Sequence, residues 1–598
     1  MPSHAAPVSD VKASSSGSAS QRAWKVALFV ASIALLLNFI VLLWGLNRGL
    51  DVDVESFYLV QYQHPYEYPA FSSFHLLLSK LPKLAANEIV HYRLLEVIFR
   101  IVPAAMLGYG VAVWANQWVN LSRTKLALLA VIATIGGTMS LCCFPRTISY
   151  NGLSSGLLVF SIAFAFLAMS RSIRASDNSR DDLNKQILLF VSGISVALSL
   201  FVKVTSALVL VPVLLLFVLS QKGGLRACLA FCGGICAGVI FFFSCIQNYA
   251  EWWNVFGEAF KFELNTDHSP SGMLDSVFGF WQKHWWQAFA GLGLAVAARV
   301  FLTRLEKGKQ DQFAAKLAVS FSGLIGLATI ILSMRLNLLQ ARESILVICT
   351  LGFMVTLLSV RSSFSRSFLI GNAVLLLFPL IAAVGTNCSI LPHMMSNSAS
   401  WFLFVGLASI VLAESFNASF AMATVPIALV CFSALQFFGQ YVFFRDDSLS
   451  LLRETVTTAK IPLLHGMSLN REDIEFYESA QQIFTANGFK PGDYILSLYD
   501  FPAIVYVMNG KSPGQSWYIS WPERDELNSV YFKKASLNSS DRLFVVLSGR
   551  NQNQVVEPHM QAALTDIRPR RKFVRIGTLP HPRKPDFKVY IYTDQSSL

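Results

Sequence analysis

The chain alternates between long apolar stretches and short polar ones. A bilayer core takes about 20 apolar residues per helix. Runs near that length fall at 23–45, 94–116, 125–144, 151–170, 186–202, 205–220, 226–246, 284–302, 314–334, 343–360, 366–386, 398–413 and 418–440. Lys203 interrupts 186–220, which reads either as two short spans or as one bent helix. Residues 1–21 are polar and rich in Ser and Ala, a predicted disordered tail. The run after them is too long for a signal-peptide core and has no small-residue cleavage site, so it is expected to stay as the first span. Beyond 445 the pattern changes. Residues 472–487 carry apolar positions at helical spacing, with Gly488 as the stop and KPGD as a turn. YILSLY, AIVYVM, RLFVVLSG and FKVYIYT then read as short strands. The expected fold is an α-helical polytopic membrane protein of about 13 spans, with a small C-terminal α/β domain.

Lys and Arg set the orientation. With the N-terminus in the cytoplasm beside Arg22 and Lys25, every second loop is basic: Arg123 and Lys125; Arg171, Arg174, Arg180 and Lys185; Lys222 and Arg226; Arg304, Lys307 and Lys309; Arg361 and Arg366. The domains then read as a cytoplasmic tail (1–21), a transmembrane unit (22–445) with its first outside loop at 46–93, and an outside α/β unit (446–598). Long segments lie outside and short ones inside, which suits action on something in or beyond the outer leaflet.

Composition agrees. Hydrophobic residues make up 54% and charged residues 14%, with a mean hydropathy of +0.49; a soluble domain carries about 25% charged residues. The net charge of +12 sits mostly in loops between apolar runs rather than on one soluble face, so nucleic acid is not an expected partner. The nine Cys show no metal or redox spacing and no disulfide framework. Cys228, Cys232 and Cys236 recur at helical spacing and read as small residues in a packed helix.

The first outside loop, RGLDVDVESFYLVQYQHPYEYPAF, holds the chemistry that stands out. Asp51, Asp53 and Glu55 alternate, so an extended segment would aim all three to one side. Phe57, Tyr58, Tyr62, Tyr66 and Tyr68 follow. Such carboxylates can act as a general base on an acceptor hydroxyl or hold a divalent metal; the plainer alternative is a solvated acidic loop with an interfacial aromatic belt. CCFPRTISYNGLSSG adds Arg146, Tyr150 and Asn151, and Arg suits phosphate capture. Lys203 is either a functional charge in an apolar run or a Lys snorkelling to a helix end. Arg335 and Arg342, in RLNLLQARE, put further cations on the outer face, where an anionic lipid phosphate would explain them. Segment 247–283 reads as an aromatic interfacial helix, with His268 and Asp267 as weak metal ligands. In the tail, Tyr499, Asp500, Asn509 and Trp517 form a set suited to carbohydrate, and RPRRKFVR (568–575) reads as a solvated strand edge. No Walker loop, Rossmann glycine pattern, zincin motif or GxSxG is present.

One span, then an acidic motif running into aromatics, then many spans and an outside C-terminal unit resembles the GT-C superfamily of membrane glycosyltransferases. These include the protein O-mannosyltransferases, aminoarabinose transferases and oligosaccharyltransferases. DVESFYL (53–59) is similar to the superfamily's first-loop motif, with Glu55 on its second acidic position and Asp53 displaced by one. ISYNGLSSG (148–156), LFVKVTSALVL (200–210) and YDFPAIVYVMNGKSPGQSW resemble a bacterial branch. The resemblance implies a GT-C-like enzyme of a bacterial inner membrane that transfers a sugar, with inversion, from a polyprenyl-phosphate-linked donor. The acceptor would be an extracytoplasmic glycan, lipid or protein. It makes Asp53 or Glu55 the general base. Asp51, Tyr58, Tyr150 and Asn151 would line the substrate. Lys203 and Arg146 would hold phosphate ahead of Arg335 and Arg342. No cofactor is called for. Two other classes share the substrates: a lipid or glycan transporter or flippase, and a polysaccharide polymerase or ligase of another membrane class.

Overall fold

The computed structural model describes residues 16–263, 365–443 and 451–594, apart from breaks at 69–71, 120, 143–144, 171–178, 222–223, 386–389, 417–418, 519–524, 536, 539–540, 550–555, 557, 568–571 and 585, together with residues 279, 282 and 350. The spans expected at 284–302 and 314–334, nearly all of 343–360, and Asp267, His268, Arg335 and Arg342 lie outside the described residues.

Ten of the predicted spans are helices: α1 (Ser16–Gly45), α4 (Glu88–Ala115), α5 (Arg123–Ser140), α6 (Tyr150–Ser170), α7 (Ser179–Val202), α8 (Val204–Ser220), α9 (Gly224–Cys245), α11 (Arg366–Ala383), α13 (Ala399–Phe416) and α14 (Ser419–Phe438). Seven helices among the described residues are long and apolar enough to cross a membrane. Shorter elements lie between them: α2 (Val54–Gln63), α3 (Phe74–Ser79), α10 (Tyr249–Glu263) and α12 (Ile390–Met395). Helix α1 starts at Ser16, inside the stretch expected to be a disordered tail. At 186–220 the backbone leaves the helix at Lys203 (φ −149°, ψ 92°), so this run is two helices.

Polar contacts mark the two ends of the bundle. At one end Trp114 bonds Gln221 (3.1 Å), Gln221 bonds the Ser367 carbonyl (2.7 Å), Ser20 bonds Ser419 (2.8 Å), and Lys125 pairs with Glu414. At the other end Ile148 N–H reaches the Tyr92 carbonyl (3.1 Å), Ser73 reaches Gln247 (2.6 Å), and Lys203 reaches the Ala382 carbonyl (2.9 Å). Helix α9 therefore finishes at the end opposite to where α11 begins, the parity that three intervening spans need.

Packing between spans relies on small residues. A Cβ on Gly193 of α7 would lie 2.1 Å from the Phe231 carbonyl of α9, and one on Gly234 of α9 would lie 2.0 Å from the Phe190 carbonyl. The buried face of α9 is Ala227, Phe231, Gly234, Gly238 and Phe242. The cysteine stripe is therefore not its packing face. Cys232 and Cys236 are exposed and Cys228 is half-buried, because the glycines, which let the backbones touch, own the contact.

The C-terminal unit has a mixed sheet in the order β3-β4-β6-β5: β3 (Tyr494–Leu498) parallel to β4 (Leu543–Gly549), then β6 (Lys588–Asp594) and β5 (Phe573–Pro580) antiparallel. Its strands alternate. Ile495, Phe544, Val546, Val589 and Ile591 face a core shared with the first outside loop. Leu496, Val545, Leu547 and Tyr590 face α17 (Asp525–Lys534) and α18 (Pro558–Ile567). The predicted helix is α15 (Arg471–Ala486), capped by Asn470 and followed by Gly488 in a left-handed conformation (φ +80°). Of the strand edge expected at 568–575, residues 568–571 lie outside the described residues; β5 begins at Phe573 and is an edge strand with half-buried and exposed positions. AIVYVM is not a strand but α16 (Ala503–Val507). Pro502 opens the turn, and burial on every side erases the periodicity that separates helix from strand. A short pair, β1 (Val456–Thr457) and β2 (Ser468–Leu469), completes the unit.

Candidate active site

The loop between α1 and α4 and the C-terminal unit are one packed body. Gly49 N–H bonds the Ser468 carbonyl (2.8 Å), Ala503 N–H bonds the Val52 carbonyl (3.1 Å), Gln63 bonds Asn509 (2.5 Å), and Lys511 pairs with Glu67 (2.6 Å). Leu50, Val52, Phe57, Tyr58 and Phe74 share a core with Tyr506, Phe544 and Ile591.

The three acidic residues do not point the same way, because the segment coils into α2 instead of running extended. Asp51 is the cap. Its carboxylate accepts the backbone N–H groups of Asp53 and Glu55, both at 3.1 Å. Glu55 is fully buried and held by Arg93 of α4, Nε to Oε1 at 2.9 Å and Nη2 to Oε2 at 2.8 Å. Arg93 also donates to the carbonyls of Leu46, Arg48 and Gly49 (2.7, 3.0 and 2.7 Å). Burial alone would raise the Glu55 carboxyl, but the guanidinium groups of Arg93 and Arg146 outweigh it and hold it well below the usual carboxylate range. Arg146 Nη2 lies 3.9 Å from Glu55, and Arg146 also donates to the Arg48 carbonyl. Glu55, Arg93 and Arg146 thus tie the end of the first span to α4 and to the segment before α6.

Asp53 is different. It is half-buried at the start of α2, and its Oδ1 has no hydrogen-bond partner among the described residues. Burial pushes its carboxyl up to about 8; Asp51 and Asp500 add to this, while Lys584 and the Trp517 indole work against it. Two of the tail residues that stood out in the sequence, Asp500 and Trp517, thus come to the first-loop carboxylate. Asp500 sits at φ +57°, and the Trp517 ring lies 5.2 Å from Phe57. Asp51 and Glu55 spend their oxygens on caps and guanidinium groups, so the acidic triplet does not supply a metal-ligand set. Among the described residues, no group of three or more His, Cys, Asp or Glu is arranged to hold a metal ion.

The other expected residues divide. Tyr58 is buried against Phe57, Tyr62 and Phe74, and Tyr150 lies 6.2 Å from Phe74. Asn151, in the first turn of α6, is half-buried. Lys203 belongs to a second group. Its neighbour Val202 packs in the first-loop core, and the Phe201 carbonyl accepts the Ser73 N–H (3.1 Å). Lys203 therefore stands at the same end of the bundle as Asp53. Nearby, Arg100 pairs with Glu96 (2.7 Å) and donates to the Ser396 carbonyl (3.0 Å). Burial, then the charges of Lys203 and Arg100, push the His393 imidazole down to about 3. Lys203, the ion-paired Arg100 and Glu96, and a neutral imidazole are gathered here, all buried.

Arg93, Glu96, Arg100 and His393 were missed from the sequence. Their signal was present: Arg93, Glu96 and Arg100 recur on one helical face at the start of an apolar span, where charge is costly.

No family model and no curated protein matches the chain. Among solved structures it is similar to ArnT from Cupriavidus metallidurans bound to undecaprenyl phosphate, at 13% identity over 94% of this chain and 97% of that one, with a TM-score of 0.36. It is also similar to the Archaeoglobus fulgidus oligosaccharyltransferase, at 12% identity over 87% of this chain and 69% of that one, with a TM-score of 0.45 for the apo form. These likenesses are loose; the chemistry open to the site is set by its own geometry.

Proposed function

We propose that the chain is a membrane glycosyltransferase that moves a sugar from a polyprenyl-phosphate-linked donor to an extracytoplasmic acceptor, with inversion and with Asp53 as general base. The observation that carries this reading is Asp53 itself. It is the one carboxylate of the first-loop triplet with a buried oxygen left unbonded, and it stands where that loop meets the C-terminal unit. The acceptor hydroxyl oxygen attacks the anomeric carbon and its proton passes to Asp53. The bond from that carbon to the phosphate oxygen breaks, and the electron pair leaves with the polyprenyl phosphate. A preorganised cation stabilises such a departing charge. Lys203 fills that role, with His393 beside it and Arg100 held by Glu96. Arg146 serves Glu55 instead. Asp51 and Glu55 hold the base in place, and Asp500 and Trp517 border the acceptor side. The setting we favour is a bacterial inner membrane, with the first loop and residues 446–598 in the periplasm.

Two measurements test this. Undecaprenyl phosphate, but not undecaprenol, should raise the melting temperature of the purified protein, and Lys203→Met should remove the difference. Release of labelled sugar from a polyprenyl-phosphate donor should fall by about 10²-fold or more in Asp53→Asn. Full transfer by a folded Asp53→Asn protein ends the base assignment.

A further inference from the structure

The break at Lys203 does more than divide the run 186–220. Lys203 N–H still bonds the Ser199 carbonyl (2.7 Å), so α7 runs intact to the break, and α8 starts at the next residue. The last carbonyls of a helix have no partner within it and carry partial negative charge. At the end of α11 those carbonyls are met by the start of α8. Lys203 Nζ donates to the Ala382 carbonyl at 2.9 Å, and Ser206 Oγ lies 3.0 Å from the same oxygen. Ser206 Oγ is also 3.0 Å from the Val384 carbonyl, to which Thr205 Oγ1 donates at 3.0 Å. Gly385 follows in a left-handed conformation (φ +80°), and a Cβ there would lie 2.0 Å from Thr205 Oγ1. The ammonium is not snorkelling to water, since Lys203 is 8% exposed. A carbonyl oxygen has two lone pairs, and at Ala382 both Lys203 and Ser206 use them. Whatever moves that oxygen moves the ammonium.

We propose that this clasp sets the phosphate affinity of the site, with Ser206 and Thr205 as positioning residues that fix the end of α11 and, through the Ala382 carbonyl, the Lys203 ammonium. This rests on the reading of Lys203 as the cation for the donor phosphate. An ammonium carries three N–H donors, so a bond to Ala382 is compatible with one to a phosphate oxygen. A Lys stem already held in one rotamer has less freedom to lose when the phosphate arrives. Ser206 touches the oxygen that Lys203 holds, whereas Thr205 touches only the Val384 carbonyl. Ser206 therefore carries the larger share. Both hydroxyls act on the phosphate through Lys203.

The test is the binding of undecaprenyl phosphate and of undecaprenol to the purified full-length protein, read as the ratio of the two dissociation constants. The alcohol controls for the fold and for the polyprenyl chain. Ser206→Ala should lower the preference for the phosphate by about 2–10-fold, the worth of one hydrogen bond, and leave undecaprenol binding unchanged. Thr205→Val should lower it by less, and Ser206→Thr, which keeps the hydroxyl, should hold the wild-type ratio. With Lys203→Met already in place, Ser206→Ala should change the ratio no further, because residues that act through one another are not additive. Equal weakening of both lipids by Ser206→Ala and Thr205→Val, or the same loss with and without Lys203, makes the hydroxyls structural and overturns the proposal. If Lys203→Met keeps the full preference for the phosphate, the reading of Lys203 fails first. If Lys203→Met abolishes the preference while Ser206→Ala and Thr205→Val keep it, only the clasp fails.

Discussion

Two carboxylates two residues apart end in opposite states, and burial set against neighbouring charge decides which is which. Glu55, though buried, sits between guanidinium groups and ionises readily; Asp53, desolvated by burial and flanked by Asp51 and Asp500, holds its proton up to about 8. A base must be ionised, so transfer should rise with pH through an acid limb near 8, falling about tenfold per unit below it. Stability runs the other way. The folded value lies above the ordinary 3.8, so the folded state binds this proton more tightly than the unfolded chain. That contribution is full below 3.8 and is lost as pH climbs toward 8. Asp53→Asn should therefore melt above wild type at pH 8, the gap closing toward pH 4, as differential scanning fluorimetry would record. Glu55→Gln is expected to do the reverse. It leaves Arg93 buried without its anion, at about 3–5 kcal/mol, and melts far below wild type at neutral pH. If Glu55→Gln melts like wild type yet loses transfer, the two roles are exchanged. The triplet was legible in sequence as acidic and unusual. Its division of labour was not, since partners such as Arg93 lie about 40 residues away and no local pattern names them.

At the scale of elements, the length of apolar runs located ten of the thirteen expected spans among the described residues, and tertiary packing chose the faces. The cysteine stripe of α9 has the same helical spacing as its glycine stripe, so either could have been the buried face. The glycines won because backbone approach to α7 is closer than any side chain allows. Gly234→Val should push the helices apart and lower the melting temperature in detergent by several degrees, whereas Cys232→Ala and Cys236→Ala should change it little. Equal effects from the two stripes would contradict the packing. α16 carries the same lesson. AIVYVM has strand composition, yet it becomes a helical turn wedged between the sheet and α2, its first N–H on the Val52 carbonyl.

For the whole molecule, the end opposite the C-terminal unit carries the basic residues of the short connections, with Arg22, Arg123 and Arg366 exposed and Lys125 and Lys185 buried. That placement predicts the orientation. In intact spheroplasts a membrane-impermeant thiol reagent should label Lys460→Cys, whose parent side chain is 72% exposed, and should label Arg22→Cys only after permeabilisation. The opposite pattern inverts the topology and with it the donor leaflet. By itself the sequence determined the membrane class, the positions of ten spans among the described residues, the alternation of basic loops and the α/β tail. These are repeated local signals that hydrophobic transfer energy imposes on any chain. The tertiary structure alone decided which carboxylate keeps an unbonded oxygen, that Arg146 serves Glu55, and that Asp500 and Trp517 reach Asp53 from distant parts of the chain. A side chain's protonation and availability depend on neighbours brought together by folding, and burial and charge act through space with no regard for chain order.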